Sequence, residues 1–476
     1  MAKEKKEKSS KWTSKILAYS LKNAIEHEGK AQEGSVISGL FAEGLKREQV
    51  KEVIGEVKKI VFEINLFDLD EQKKRFKNLE DNISHRTERE GLPELEDVPK
   101  SGVIMRFSPS SSAQAFHIGH ILTGMPTSLY VKKYGGKFFL RIEDTNPEKT
   151  VPECYKTFPE EAAWIFGNVT EWYAQSDRMQ EYYDFAEELI KKGFAFVCAC
   201  KKEEKNEEES FQAREPCVCR KNSIKENISK WEKMLDKKGY KEGHAVLRFK
   251  SQKTNLSNPA LIDFPLARIN LTYHPRQGKK YRVWPLMNLC VTHDDIVQKC
   301  THIIRAKEHR DNALRQEMIF DALKIKKPRS YFLGRYKFTD LEMSKTKISE
   351  KIRKGEFSGW DDIRLPLARN FKRRGYQPKA FEELAIQRGL SEVDKVIARE
   401  DFFQILDSFN RKFVHEIAIK AEFTVSEKGN FMVVMDDASE VKIKSKISPK
   451  PGEIYHFPGF GYARYDKDKK FYFAHK

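Results

Sequence analysis

Two short runs in this chain hold residue types suited to gripping a nucleotide. One is His117-Ile118-Gly119-His120; the other, far downstream, is Met343-Ser344-Lys345. Two imidazoles at a helix start and one remote lysine can clamp an adenine nucleotide from both ends. Unpaired N–H groups and the helix dipole draw phosphate to a helix N-terminus. Imidazole and ammonium donors then stabilise charge that develops on phosphorus. Gly119 lets a ligand approach the backbone closely. His117, His120 and Lys345 are therefore the candidates for nucleotidyl-transfer chemistry.

Arg106, Glu143 and Arg305 are charged residues expected at strand ends. Each alone could be a surface salt bridge. Together they could hold a zwitterion, because a carboxylate takes an ammonium and guanidinium groups grip carboxylates in bidentate fashion. Cys198-x-Cys200 and Cys217-x-Cys219 form two matched pairs sixteen residues apart. Four thiolates can close a tetrahedral Zn²⁺ shell, and a closed shell would be structural. Cys154, Cys290 and Cys300 read as isolated packing residues.

Positioning these groups requires a particular set of elements. Val103–Phe107 reads as a buried strand, a helix starts near His117, and residues 137–142 read as a second strand ending at Glu143. That is a parallel βαβ unit. Ligands of such sheets sit beyond the C-terminal strand ends, where His117 and Glu143 fall. Further strands are expected at 246–249, 281–283 and 302–305, and helices at 15–82, 178–192, around Trp231 and over 378–415. From Phe423 onward a period near two predicts a small barrel-like β tail. Residues 1–14 read as a disordered, Lys-rich tail.

The bulk numbers bound the class. A chain of 476 residues suggests two to four domains. With 33% charged residues and no apolar run near the ~20 of a membrane span, a membrane protein is excluded. The charged N-terminus predicts no secretory signal. A net charge of +17 points to a polyanionic partner, with a solvated Lys/Glu surface as the bland alternative. Seven cysteines, four of them clustered, suit a reducing compartment and a metal site.

An ordered set of motifs resembles the glutamyl-tRNA synthetases of archaeal type, which are class I aminoacyl-tRNA synthetases. The set is Arg106-Phe107-x-Pro109, His117-Ile118-Gly119-His120, Arg141-Ile142-Glu143-Asp144-Thr145-Asn146-Pro147, Gln175-Ser176-Asp177-Arg178, Asn258-Pro259-Ala260, Thr301-His302-Ile303-Ile304-Arg305 with His309, and Met343-Ser344-Lys345. The run Ala18–Ala24 and the ending Phe471–Lys476 also look archaeal, and the cysteine pairs sit where that type carries zinc. The resemblance implies an α/β fold with a Rossmann catalytic domain. Its expected divisions are 1–100, a helical module; 101–192 and 251–365, the catalytic halves; 193–250, an inserted zinc-containing acceptor-stem-binding region; 366–415, a helical bundle; and 416–476, a β-barrel anticodon-binding domain.

The implied activity is ATP-dependent ligation of L-glutamate to tRNA(Glu) through glutamyl-adenylate in the cytoplasm, extending to tRNA(Gln). Alternatives are a glutaminyl-tRNA synthetase and a catalytically degraded tRNA-binding paralogue. By motif match, His117, Gly119, His120, His309, Met343, Ser344 and Lys345 would hold ATP, which brings Mg²⁺. Arg106, Glu143, Met287 and Arg305 would hold the amino acid, and the N-terminal module could bind a protein partner. Three departures stand out. Seven residues separate Pro109 from His117 where the family usually has six. Met287 replaces an aromatic, and Asn288 and Ala306 replace Asp and Gly.

Overall fold

The computed structural model describes residues 2–27, 29–79, 91–200, 217–252 and 258–476. The chain divides into two compact units, Met1–Glu88 and Arg89–Lys476. The first contains helices α1 (Ala2–Glu26), α2 (Glu33–Ala42), α3 (Val50–Ile64) and α4 (Leu69–Lys77). The apolar stripe of α3 buries Val53, Val57, Ile60, Val61 and Ile64 in a core with Ile16, Leu21, Val36 and Leu40. The Lys-rich start, expected to be disordered, instead belongs to α1. Ala, Lys and Glu are good helix formers, so they extend a helix whose later turns are packed.

The second unit is built on a parallel sheet. Its early elements are β1 (Val103–Phe107), α5 (Ile118–Tyr134), β2 (Gly136–Ile142), α6 (Cys154–Ile165), β3 (Glu171–Ala174) and α7 (Met179–Lys191). β1, β2 and β3 are parallel neighbours in that order. Val103, Met105, Phe138, Leu140 and Ile142 are all buried in the core, as befits strands with both faces covered. At the start of β2, Gly136 has φ +114°, and a Cβ there would lie 2.0 Å from the Val103 carbonyl oxygen.

The chain then leaves the sheet. β4 (Ala195–Cys198), α8 (Ile224–Leu235), β5 (Val246–Phe249), β6 (Pro265–Ile269) and β7 (Val283–Pro285) follow. β4 to β7 form one antiparallel sheet in sequence order. The boundary expected at residue 250 therefore falls inside this sheet, which runs on to Pro285. The polar run between β5 and β6 hides their pairing, in which Leu247 faces Ala267. The strand expected at 281–283 begins only at Val283.

The chain returns through α9 (Met287–Val297), β8 (His302–Ala306), α10 (Arg310–Leu323) and β9 (Arg329–Leu333). β8 and β9 are parallel. Thr301 ties them to the free side of β1: its N–H donates to the Ile104 carbonyl at 2.8 Å, and its Oγ1 accepts from the Ile104 N–H at 2.9 Å. The spatial order is thus 3-2-1-8-9. The winding reverses between β1 and β8, the crevice where open α/β sheets bind ligands.

Beyond lie β10 (Tyr336–Phe338), α11 (Lys345–Arg353), α12 (Ala368–Arg374), α13 (Pro378–Arg388), β11 (Lys395–Ile397) and α14 (Arg399–Ile417). The helical stretch expected over 378–415 is interrupted. Gly389, with φ +63°, follows α13, and β11 pairs with β10. The β tail comprises β12 (Ile419–Lys420), β13 (Thr424–Val425), β14 (Phe431–Val434), β15 (Glu440–Lys444), β16 (Ile454–Phe457), β17 (Gly461–Tyr465) and β18 (Phe471–His475). They make one seven-stranded sheet, order 12-16-17-18-14-15-13. It is a half-barrel around Val433, Ile443, Tyr455, Phe457 and Phe471. Among the described residues no helix is long and apolar enough to cross a membrane.

Gly136→Ala must move the Val103 carbonyl or β2 itself. We expect it to destabilise the second unit by about 1–3 kcal/mol, the usual cost of one strained backbone position. The urea midpoint of near-UV circular dichroism measures this, and an unchanged midpoint would refute it.

Candidate active site

α5 starts in an unusual way. His117 is its N-cap, in extended conformation. Its Nδ1 accepts from the His120 N–H at 3.3 Å, and His120 Nδ1 accepts from the His117 N–H at 3.3 Å. This is a reciprocal capping box made from two imidazoles, whose rings stack 3.8 Å apart. Burial pushes the His117 ring down to about 4. Burial, with His117 beside it, holds His120 well below the usual value. Both rings are therefore neutral near pH 7. With each Nδ1 accepting, the proton of each ring is assigned to Nε2, which is left as a donor. The Ile118 N–H is taken by the Pro366 carbonyl at 2.9 Å. Among the described residues the Gly119 N–H has no partner in this first turn, which leaves one amide for an anion. A Cβ on Gly119 would lie 2.9 Å from His117 Cε1, so the glycine first makes room for the imidazole itself.

The segment between β1 and α5 also fixes Glu143. The Glu143 N–H donates to the Pro109 carbonyl at 3.1 Å, and the Ser111 N–H donates to the Glu143 carbonyl at 3.0 Å. Ser111 Oγ meets Thr150 Oγ1 at 2.9 Å. The Glu143 side chain projects beyond β2, and among the described residues its carboxylate makes no hydrogen bond. Burial raises its affinity for a proton, while Arg106, Arg141 and Arg305 oppose that.

Those arginines belong to a buried charge cluster. Arg106 faces Asp295 through Nε at 3.3 Å and Nη2 at 3.5 Å. Arg141 Nη2 donates to Asp295 Oδ1 at 2.8 Å. Burial pushes Asp295 up, but its three arginine neighbours outweigh this and hold it below the usual range. Among the described residues Arg305 has a neutral acceptor alone, Gln316 Oε1, at 3.0 Å from Nη1, and its buried Nε has none. Burial and the adjacent Arg106 lower it to about 9. Asp294 accepts from Gln175, Arg178 and Tyr182 and shares Arg141 with Asp295. The sequence reading missed Asp294, Asp295 and Gln316. Two adjacent acids amid the apolar residues of α9 were the available signal, since buried acids need partners.

A cavity of about 670 Å³ gathers most of the expected residues: Arg106, His117, Gly119, His120, Glu143, Met287, Arg305, His309 and Met343 all line it. Met287 is the first residue of α9. Tyr336, Phe338, Arg335 and Arg388 complete the wall. Ser344 and Lys345 do not reach it. Ser344 caps α11, with its N–H on Glu342 Oε1 at 2.8 Å. Lys345 Nζ donates to the Ser112 carbonyl and lines a neighbouring cleft with Glu148, Lys149 and Arg353.

Away from this cavity, Cys198 ends β4 and Cys217 and Cys219 belong to a short helical turn. Sγ–Sγ distances are 3.4 Å for Cys198–Cys217, 3.3 Å for Cys200–Cys217 and 3.5 Å for Cys200–Cys219. All four sulfurs lie within 4.8 Å of one another. A tetrahedral Zn²⁺ with Zn–S near 2.3 Å needs S–S edges of roughly 3.8 Å, so the cluster fits that ion. Cys154, Cys290 and Cys300 are buried elsewhere.

The family of tRNA synthetases class I (E and Q), catalytic domain, matches residues 102–412. The chain belongs to the class I tRNA synthetases. Curated relatives named glutamate–tRNA ligase agree over most of its length. That of Methanocaldococcus jannaschii is 36% identical over 441 residues, covering 92% of this chain and 77% of the relative. That of Thermococcus onnurineus is 37% identical over 412 residues, covering 85% and 70%. That of Pyrococcus abyssi is 38% identical over 411 residues, covering 84% and 70%. The matched span runs from β1 into α14 and takes in the whole cavity and the cysteine cluster.

The His117 imidazole is expected to stay neutral from pH 8 to pH 6 and to take up its proton only near pH 4. Protonation removes the Nδ1 acceptor and so opens the cap. Histidine side-chain NMR measures this directly, and titration near 6.5 would contradict the buried, capped geometry.

Proposed function

We propose that the protein ligates L-glutamate to tRNA(Glu) at the expense of ATP, through glutamyl-adenylate. The observation that carries the reading is the Glu143 carboxylate, without a hydrogen-bond partner among the described residues, lining the same cavity as Arg305 and the imidazole pair. A zwitterion supplies what Glu143 and Arg305 lack: Glu143 takes the α-ammonium and Arg305 takes a carboxylate, while Arg106, already paired with Asp295, borders the same cavity. Met287 packs against the amino-acid side chain. ATP lies over the start of α5, where the His117 and His120 Nε2–H donors, the Gly119 N–H and His309 face it, with Met343 alongside; Ser344, outside the cavity in this structure, would join it only together with Lys345. Mg²⁺ arrives with the nucleotide phosphates.

In the first step a glutamate α-carboxylate oxygen attacks the α-phosphorus, and pyrophosphate leaves. Neutral donors suit this step, because they stabilise added negative charge without a buried cation to desolvate. Lys345 exchanges the Ser112 carbonyl for the phosphates. In the second step a hydroxyl of the terminal adenosine of tRNA attacks the carbonyl carbon, and AMP leaves. The net charge of +17 favours the polyanionic acceptor. The resemblance to archaeal-type enzymes extends the reading to glutamine tRNA as a second acceptor. Cys198, Cys200, Cys217 and Cys219 would hold a structural Zn²⁺, which supplies cross-linking of the inserted sheet and no chemistry.

Charging of purified glutamate and glutamine tRNAs with each labelled amino acid tests this. Glutamate is expected on tRNA(Glu) and on tRNA(Gln). Glutamine as the sole accepted amino acid would overturn the substrate, and no charging at all would overturn the activity. Lys345→Ala is expected to slow charging by on the order of 10²–10³-fold, the scale for losing one transition-state donor. An unchanged rate would remove Lys345 from the mechanism.

The metal is tested apart from activity. The purified protein is expected to contain about one equivalent of Zn²⁺, and Cys217→Ser is expected to lose it and lower the thermal midpoint. A metal-free protein with an unaltered midpoint on chelator treatment would count against the site.

A further inference from the structure

The peptide groups leading into His117 are held from outside α5. Glu161, on α6, is buried to 7% exposure, yet both its oxygens are used. Oε2 accepts the Phe116 N–H at 2.5 Å, and Oε1 accepts Arg369 Nε at 3.3 Å. Arg369, on α12, also donates through Nη2 to the Gln114 carbonyl at 3.0 Å. Thr157 Oγ1 donates to that carbonyl at 2.6 Å. The Phe116 carbonyl accepts the Ala368 N–H at 2.7 Å. The His117 N–H and carbonyl are spent on the cap itself. A peptide rotation between Gln114 and His117 would thus break several bonds at once, one of them to a buried carboxylate.

We propose that Glu161 and Arg369 are positioning residues for nucleotide binding, fixing the peptides before His117 and thereby aiming the two imidazole Nε2–H donors. The proposal rests on reading the cavity as an ATP site. Neither residue lines that cavity, so any effect on the nucleotide must pass through the chain between Gln114 and His117. The lead here is one residue longer than is usual for the family it resembles. It carries Ser110-Ser111-Ser112-Ala113-Gln114, a run with no proline to stiffen it. Side-chain bonds from two other helices supply the rigidity that the sequence of the lead lacks.

The test uses the full chain, with Glu161→Gln and Arg369→Lys made separately. Glu161→Gln keeps the shape but sets an amide NH₂ against the Phe116 N–H or the Arg369 guanidinium. ATP affinity by calorimetry is expected to weaken five- to tenfold in each variant, with KM for glutamate and the thermal midpoint nearly unchanged. The Arg369→Lys/Glu161→Gln double variant is expected to be no worse than the worse single, as for residues acting through one contact. Asp361→Asn, which removes the exposed partner of Arg369, should leave ATP affinity unaltered. Unchanged ATP affinity in both folded variants overturns the proposal, as does equal weakening of ATP and glutamate. Failure of both variants to fold also overturns it, since the pair then serves folding. Wild-type protein that binds ATP but charges no tRNA with glutamate would sink the proposed activity, while the ATP measurements would still decide this inference.

Discussion

Three guanidinium groups and two carboxylates are withdrawn from water where β1, β2 and β8 end, with a third carboxylate, Glu143, half-buried beside them. Removing such charges from water costs several kcal/mol per ion in real proteins, and only close pairing recovers it. Arg106 and Arg141 both spend their charge on Asp295. Asp294 is taken by Arg141, Arg178 and Tyr182. The pairing leaves two groups unmatched in opposite senses: Arg305 with a neutral amide, and Glu143 with no hydrogen-bond partner among the described residues. A ligand that carries an ammonium and carboxylates completes the cluster. On the proposed reading, specificity depends as much on the acids that occupy Arg106 and Arg141 as on the groups left over.

This arrangement explains the order of elements around it. Arg106 and Arg305 sit on strands that become neighbours only through Thr301, at the reversal of the sheet. α9 must follow β7 closely enough to bring Asp294 and Asp295 under both. The inserted sheet, anchored by β7 on one side and α7 on the other, thus delivers an essential part of the charge cluster from outside the parallel sheet.

The βαβ unit was legible in the sequence because buried strands and a capped helix leave local marks: Val103–Phe107, the histidine pair, and residues 137–142 ending at Glu143. The residues that line the cavity were legible as chemical types at strand ends. What stayed hidden was long-range. The partnership of Arg106 with Asp295 spans 189 positions and leaves no periodicity. β11 is three residues long and gains its identity by pairing with β10. β6 was not expected as a strand, because its pairing with β5 is set by register and not by composition. The position of Lys345 was also unreadable, since a tripeptide does not say what its ammonium touches.

The segment between Pro109 and His117 links all of these parts. Its first residues bond the backbone of Glu143, its last residue caps α5, and the Ser112 carbonyl between them receives Lys345. His117, Lys345 and Glu143, the groups proposed to meet the nucleotide and the ammonium, therefore share one loop, so its length and stiffness bear on all three. The contact of Lys345 with Ser112 is not a barrier to its use. It is one charge-assisted bond, from an exposed ammonium to a single carbonyl. Triphosphate oxygens offer several such bonds at once. On the proposed reading the phosphates displace this single contact, and Lys345 waits on the lead into α5.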